Sequence, residues 1–149
     1  MPKQKTLTET YDECLANGQL RDKEGDETGR IKTMIQLADT FLESAQDLQK
    51  NLAPESPKWS VVYALSYDAL RELAGAYAKL NKKNIANHQC LFAYVCYNEP
   101  ELSWDFFEEA RTKRNGIEYY GSLATYNDFK KMKIQFQIYI SFLKKKIQQ

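Results

Sequence analysis

A regular spacing of apolar residues from position 31 to position 52 constrains the fold of this chain more than any other feature. Apolar side chains recur there every three or four residues, and mostly polar or charged side chains fill the positions between them. The apolar residues are Ile31, Met34, Ile35, Ala38, Phe41, Leu42, Ala45, Leu48 and Leu52. A 3.6-residue period of this kind is that of an amphipathic helix with one buried face. The segment is therefore predicted to be such a helix, and other elements must cover its apolar face.

Two further helices are predicted in the middle of the chain. Ser56 followed by Pro57 is typical of a helix start, because the hydroxyl caps the first turn and the N–H that proline lacks has no partner there. This helix is predicted to run to about Leu80, and the small side chains on its apolar face favour close approach to a neighbour. After a polar turn, a shorter helix is predicted over 86–97.

Two more helices are predicted in the last third of the chain. Pro100 is expected to end the short helix and open the next one, because proline breaks a helix interior but is tolerated in a first turn. The last helix is predicted to begin at Thr125, since its hydroxyl and the Asp128 carboxylate resemble a capping box. Its apolar residues again follow the helical period: Phe129, Met132, Phe136, Tyr139, Ile140, Leu143 and Ile147.

The chain as a whole is predicted to be all-α, because no segment combines strand-like alternation with hairpin turns. Short connections favour antiparallel neighbours, so the expected fold is an up-down antiparallel four-helix bundle with an additional short helix. A length of 149 residues with 43% hydrophobic content suits a single core. Residues 28–149 are assigned to the bundle. Residues 1–27 are assigned to a flexible or partly helical lead, with at most one short helix near Leu7 to Leu15.

Charge and apolar runs exclude several function classes. The 21 Lys and Arg residues against 20 Asp and Glu give a net charge of +1, so no global attraction to nucleic acid or to an anionic membrane is expected. No apolar run is long enough for a signal peptide or a membrane span. The protein is therefore predicted to be cytoplasmic, without a membrane partner, and any nucleic-acid binding must come from a local patch.

The cysteine and histidine content argues against a metal site. Cys14, Cys90 and Cys96 are odd in number and lack C-x-x-C spacing, so they are interpreted as packing residues in a reducing compartment, without a disulfide framework. His88 is the single histidine and has no partners at ligand spacing. It is interpreted as a structural or capping residue, with a catalytic role as the alternative. Phosphate loops and common hydrolase motifs are absent, and neither metal nor cofactor is predicted.

The stretch RTKRNGIEYYG, at 111–121, is the candidate functional site. Continuing the apolar face of its helix places Arg114 on the inward side, where an unpaired guanidinium is costly. Asp68 or Glu72 of the second helix is therefore predicted to pair with Arg114. The alternative is that Asp68, Arg71 and Glu72, which lie within about one turn, form a local, exposed ion-pair cluster.

The end of this helix gathers several polar and aromatic groups. Gly116 weakens a helix by about 1 kcal/mol relative to alanine, which is tolerated near a helix end. Arg114, Asn115, Tyr119 and Tyr120 can together present a guanidinium and flat aromatic faces to a phosphate, a nucleotide or a partner chain. A purely structural helix end is the alternative.

Aromatic content suggests an interface at the same place. Phe, Trp and Tyr make up 13% of the chain, which is more than one small bundle core needs, and exposed aromatic patches often mark interfaces. The chain is therefore predicted to form a homodimer whose interface includes the end of the helix that carries RTKRNGIEYYG.

The order of these segments resembles the HEPN (higher eukaryotes and prokaryotes nucleotide-binding) domain family. The specific phrases are WSVVYALSYDALRELAGAYAKL in the second helix and RNGIEYYG in the fourth, with NHQCLFAYV between them. The resemblance covers about residues 28 to 147. It implies a helical bundle that is usually a homodimer, and it implies a function in nucleotide or RNA binding.

Many HEPN proteins are metal-independent ribonucleases with an arginine, a polar residue and, a few residues later, a histidine. By resemblance, Arg114 and Asn115 occupy the first two positions, and Tyr119 stands where the histidine is expected. Tyrosine, with a pKa near 10, is a poor general base at neutral pH, so the resemblance implies a degenerate ribonuclease motif. Members without the histidine are associated with nucleotide binding or with a minimal nucleotidyltransferase partner in toxin-antitoxin pairs.

Three functional hypotheses follow from the sequence. The leading one is a module that binds a nucleotide, an RNA or a nucleotidyltransferase partner through Arg114, Asn115, Tyr119 and Tyr120, with Asp68 nearby. The second is an active metal-independent ribonuclease that uses Arg114 with Tyr119 or with His88. The third is an interaction bundle without a small ligand.

Overall fold

The computed structural model describes residues 4–148 and shows an all-α bundle, as predicted. Six helices and one pair of very short antiparallel strands account for the regular structure of these residues. In chain order the elements are α1 (Leu7–Ala16), β1 (Arg21–Asp22), α2 (Thr28–Gln49), α3 (Trp59–Leu80), β2 (Lys83–Asn84), α4 (His88–Asn98), α5 (Trp104–Tyr119) and α6 (Tyr126–Gln148). The strand pair, in which Arg21 lies opposite Asn84, is too short to show alternation in the sequence.

Helix α3 is the centre of the bundle and contacts α2, α4, α5 and α6. The small side chains of α3 explain its close packing against α2. A Cβ atom at Gly75 would lie only 2.6 Å from Met34 Cε, so an alanine at this position requires Met34 to move. Because α3 is buried along most of its length, polar groups on its surface are held in fixed positions relative to the neighbouring helices.

Aromatic rings fill the space between α5 and α6. Phe106 packs edge-to-face on Phe136 and on Tyr139, with ring centroids 5.2 and 5.1 Å apart, and Phe107 stacks on Tyr139. Aromatic pairs of this geometry contribute about 0.5–1.5 kcal/mol beyond their buried area. Much of the aromatic content therefore belongs to the core. It gives little support to an interface, and the homodimer stays a prediction.

The helix starts test the local sequence signals. Thr125 and Asp128 form the predicted capping box, since each backbone N–H donates to the side chain of the other residue. Pro100 does not open α5. That helix begins at Trp104, where the Ser103 hydroxyl accepts a hydrogen bond from the backbone N–H of Phe106. A proline is compatible with a first turn, but a hydroxyl that satisfies a free N–H fixes the start.

The start of α3 also lies later than predicted. The helix begins at Trp59 and not at Pro57. The Ser56 hydroxyl still accepts a hydrogen bond, from the backbone N–H of Lys58, but it does so within a turn that precedes the helix.

The prediction that all three cysteines are packing residues is wrong. Cys14 in α1 and Cys90 in α4 form a disulfide across 76 residues of chain, and only Cys96 is free and buried. Spacing could not reveal this pair, because it is created by the packing of α1 on α4. Disulfides persist mainly in oxidising compartments, so the cysteines no longer argue for a reducing one. The cytoplasmic location stays a prediction.

The N-terminal segment packs onto the bundle at several points. Its helix α1 lies close to the predicted position, and Tyr11 stacks on Tyr97 of α4 with ring centroids 3.8 Å apart. Trp104 Nε1 donates a hydrogen bond to the carbonyl oxygen of Lys5, and Leu20 is buried. Among residues 4–148 no helix is both long enough and apolar enough to cross a membrane.

Candidate functional site

A cleft of about 300 Å³ lies among α3, α4 and α5, and we call it the Arg114 cleft. The residues that line it are Tyr67, Asp68, Arg71, His88, Arg114, Asn115, Glu118 and Tyr119. Five of the six residues predicted for the site are in this group. Tyr120 is the exception.

Helical spacing explains why these side chains meet. Asp68 and Arg71 are three residues apart on α3, and Arg114 and Glu118 are four residues apart on α5, so each pair shares one face of its helix. His88 is the first residue of α4, which begins beside that face because the Asn87 side chain caps it by accepting from the backbone N–H of Cys90. Three separate elements therefore supply the cleft.

Arg114 points inward, and its pairing is incomplete. Its side chain is only 17% exposed, and one terminal nitrogen lies 3.6 Å from Asp68 Oδ2, as predicted for an inward guanidinium. The other terminal nitrogen donates to Glu118 Oε2 at 3.0 Å. Arg114 Nε is buried without a hydrogen-bond partner. A contact of 3.6 Å is an ion pair and not a good hydrogen bond, so the guanidinium keeps donor capacity.

Glu72, the other predicted partner of Arg114, pairs elsewhere. The Glu72 carboxylate is buried and accepts a hydrogen bond at 3.0 Å from its neighbour Arg71. Sequence reasoning treated Arg71 as part of a surface ion-pair cluster. The structure makes it a second guanidinium of the cleft, and its spacing of three residues from Asp68 was the signal that could have shown this.

The electrostatics of His88 favour its neutral form. Although much of the imidazole is exposed, the protein around it removes part of its hydration, and this loss together with the positive charge of Arg71 lowers the pKa of His88 below its usual range. Its Nδ1 lies 3.4 Å from the Tyr67 hydroxyl. Burial raises the pKa of Tyr67 well above its usual range, so that hydroxyl stays protonated. When Nδ1 donates to it, Nε2 is left as an acceptor.

The two tyrosines at the end of α5 have separate surroundings. Tyr119 is 69% exposed and lies at the rim of the Arg114 cleft, whereas Tyr120 is 79% exposed and lines a different cleft on the other side of α5. Tyr120 therefore does not line the same cleft as Arg114, and its role in ligand binding stays a prediction. Consecutive helical positions point about 100° apart, so adjacent residues do not share a face.

The cleft that contains Tyr120 is larger and mostly acidic, and we call it the acidic cleft. Its volume is about 1090 Å³, and its charged side chains are Asp105, Glu108, Glu109, Asp128 and Lys113. Asn115 lines both clefts.

Neither cleft has the composition of a metal site. Among residues 4–148 no group of three or more His, Cys, Asp or Glu side chains is arranged to hold a metal ion. The Arg114 cleft is lined by two guanidiniums, two carboxylates, an amide, an imidazole and two phenols, one of them exposed. Of these groups, the guanidiniums can bind an anion, the exposed phenol can stack on a planar ring, and the imidazole can move a proton.

Comparison of the chain with protein-family models, with curated proteins and with solved structures finds no match. The resemblance to the HEPN family therefore rests on the sequence phrases alone and stays a prediction.

Proposed function

We propose that the protein is a HEPN-like module whose Arg114 cleft binds a phosphate group of a nucleotide or an RNA. The observation that carries this proposal is the incomplete pairing of Arg114. One terminal nitrogen donates to Glu118 at 3.0 Å, but the other has only a long ion pair to Asp68, at 3.6 Å. A phosphate in the cleft can accept a charge-assisted hydrogen bond from that second terminal nitrogen.

The neighbours of Arg114 suit the rest of a nucleotide. Tyr119 lies one helical turn beyond Asn115 at the rim, and its ring is exposed enough to stack on a base. Asn115 has an amide that can both donate and accept, and Arg71 adds a second positive charge. Phosphate, sugar and base thus each have a chemically suitable neighbour.

Binding measurements with matched variants test the proposal. Arg114→Ala is expected to weaken the binding of UMP and of an unstructured oligouridylate by about 10- to 100-fold, the range for a hydrogen bond to a charged group. Lys113→Ala is the control, because Lys113 precedes Arg114, carries the same charge and lines the acidic cleft. Thermal unfolding of each variant separates loss of binding from loss of folding. Equal effects of the two variants contradict the proposal.

A second candidate function is metal-independent RNA cleavage, and the position and neutrality of His88 favour it. In this reaction His88 Nε2 takes the proton of a ribose 2′-hydroxyl, and that oxygen attacks the adjacent phosphorus. The 5′-oxygen leaves with a proton from water, and a 2′,3′-cyclic phosphate forms. Arg114 stabilises the charge that develops on the phosphoryl oxygens.

Cleavage of one RNA in the presence of a chelator separates the two candidates. Strong cleavage by the wild type that His88→Ala reduces by about 10²- to 10⁴-fold establishes the ribonuclease. Binding without cleavage leaves the module without catalytic activity. His88→Gln, which keeps a hydrogen-bonding group beside Tyr67, controls for a structural effect of the substitution.

We also propose that a second copy of the chain covers the end of α5. The exposed side chains of Tyr120 and Leu123 support this interface, because large exposed apolar groups often mark protein contacts. A minimal nucleotidyltransferase partner is the alternative occupant that the family resemblance implies. Light scattering of the wild type and of Tyr120→Ser with Leu123→Ser tests the homodimer. A monomer at micromolar wild-type concentration contradicts it.

A further inference from the structure

A positively charged cleft adjoins the Arg114 cleft, and we call it the Arg30 cleft. It has a volume of about 200 Å³ and lies among the start of α2, the second half of α3, strand β2 and the start of α4. Its lining includes Arg30, Arg71, Lys79, Lys83 and His88 but no carboxylate. It is therefore the more strongly cationic of the two clefts.

The positive charges of the Arg30 cleft are only partly neutralised. Arg30 has no ion pair among the described residues, and Lys79 donates only to the neutral side chain of Asn84, at 3.3 Å. Arg71 is paired with Glu72, and Lys83 is paired with Asp22, whose side chain is highly exposed. Like charges held close together around a concave surface create a positive potential that attracts an anion.

Arg71 and His88 line both clefts, so the two clefts adjoin at these side chains, and we call the pair of clefts the basic groove. Along α3 its lining residues run from Tyr67 to Lys79. At about 1.5 Å of rise per residue this distance is about 18 Å. A groove of that length is longer than one phosphate group.

We propose that the Arg30 cleft is a second phosphate subsite and that the basic groove holds successive phosphates of a single ligand. This inference rests on the proposed function, since the first phosphate lies at Arg114. The occupant that we favour is a single-stranded oligoribonucleotide, whose phosphates are spaced along the groove. The phosphate chain of a nucleoside triphosphate offers the same chemistry, and the experiment below distinguishes the two sources.

The test measures binding of UMP, ATP and an eight-residue oligouridylate to the full chain. The variant is Arg30→Gln with Lys79→Gln. The control is Lys32→Gln with Lys58→Gln, which makes the same change of net charge at two exposed lysines outside the groove. We expect the variant to bind the octanucleotide about 10-fold more weakly than the control does, and to bind UMP with unchanged affinity.

Salt dependence gives a second readout of the same contacts. For single-stranded nucleic acid the slope of log affinity against log salt is about −0.7 per neutralised phosphate. Loss of two contacts is therefore expected to make the slope for the octanucleotide shallower by about 1.4 in the variant, with no change in the control.

The outcomes separate this inference from the proposed function. If the Arg30→Gln, Lys79→Gln variant binds the octanucleotide more weakly than the control does, the subsite is assigned to an oligonucleotide. If the variant binds only ATP more weakly and its affinity for the octanucleotide is unchanged, the subsite is assigned to a triphosphate chain. A third outcome is that Arg114→Ala weakens the binding of UMP and of the octanucleotide while the Arg30→Gln, Lys79→Gln variant binds all three ligands like its control. In that case the second subsite is wrong and the proposed function stands. If the wild type binds none of the three ligands, both are wrong.

Discussion

The Arg114 cleft and the acidic cleft lie on opposite sides of α5 and differ in how well their charges are paired. In the acidic cleft, Glu108 accepts two hydrogen bonds from Arg111 and one from Gln89. Glu109 and Asp128 form ion pairs with lysines at 2.6 and 3.1 Å. In the Arg114 cleft the guanidinium donates to Glu118 at 3.0 Å, but its contact with Asp68 is 3.6 Å long and its Nε is buried without a partner.

The two clefts also differ in volume, and the larger one has the better-paired charges. The acidic cleft is more than three times larger, about 1090 Å³ against 300 Å³, yet most of its carboxylates already have the partners they need. Buried polar groups are normally satisfied, and the exceptions require an explanation. The smaller cleft contains such an exception in Arg114 Nε, and it is at this guanidinium that we propose phosphate binding.

The largest expected effect is on stability and concerns the acidic cleft. Glu108 is only 7% exposed, and Glu108→Ala leaves Arg111 and Gln89 without their shared acceptor. We expect the free energy of unfolding to fall by about 3 kcal/mol, with UMP affinity unchanged. Chemical denaturation measures the loss. Glu109→Ala, which breaks an exposed pair, is the control and should cost less than about 1 kcal/mol. Equal losses contradict the assignment of Glu108 to a structural network.

The next effect concerns catalysis and uses the two tyrosines as a matched pair. Tyr119→His places an imidazole with a pKa near 6.5 beside Arg114, and RNA cleavage in chelator can rise by up to about 100-fold. Tyr120→His makes the same change one residue further on, at the acidic cleft, and should give no gain. Cleavage that rises equally in both variants contradicts a specific role for the Arg114 cleft.

Charge pairing also predicts a gain of affinity. Asp68→Asn keeps the shape of the side chain and removes the carboxylate that competes with a phosphate for Arg114. We expect UMP to bind about 5-fold more tightly, which is the size of one charge interaction at partial exposure. Asp128→Asn in the acidic cleft is the control and should leave affinity unchanged. Weaker UMP binding to Asp68→Asn shows that Asp68 holds Arg114 in its productive position.

The smallest expected effect is the pH dependence that His88 contributes. Because its pKa is lowered in the folded protein, the unfolded chain takes up a proton that the folded protein resists, so stability falls as pH drops below about 6.5. His88→Gln removes this contribution. The variant should therefore lose less thermal stability than the wild type between pH 7 and pH 5.5. An equal loss in both proteins contradicts the lowered pKa.

Local signals in the sequence predicted the helices and the inward arginine. The apolar period of α2 and the capping box of α6 involve residues within one or two turns, so the sequence contains the whole interaction. The position of Arg114 followed from the same periodicity, and its need for a carboxylate pointed to Asp68 or Glu72, of which Asp68 is the partner.

Features that depend on tertiary packing were not predictable in this way. The disulfide joins residues 76 positions apart, and it exists because α1 packs on α4. The separation of Tyr119 from Tyr120 depends on which clefts flank α5. The Arg30 cleft combines parts of four elements, and no motif in the sequence links Arg30 to Lys79.

The most direct test of phosphate binding at the Arg114 cleft is the change in backbone amide NMR shifts when UMP is added to the folded protein. The account predicts shifts at Asp68, Arg71, His88 and Arg114 that saturate together, and no saturating shift around Asp105 in the acidic cleft. Arg114→Ala should abolish these shifts at the same UMP concentration. Saturating shifts centred on the acidic cleft, or shifts at the Arg114 cleft that persist in Arg114→Ala, contradict the account.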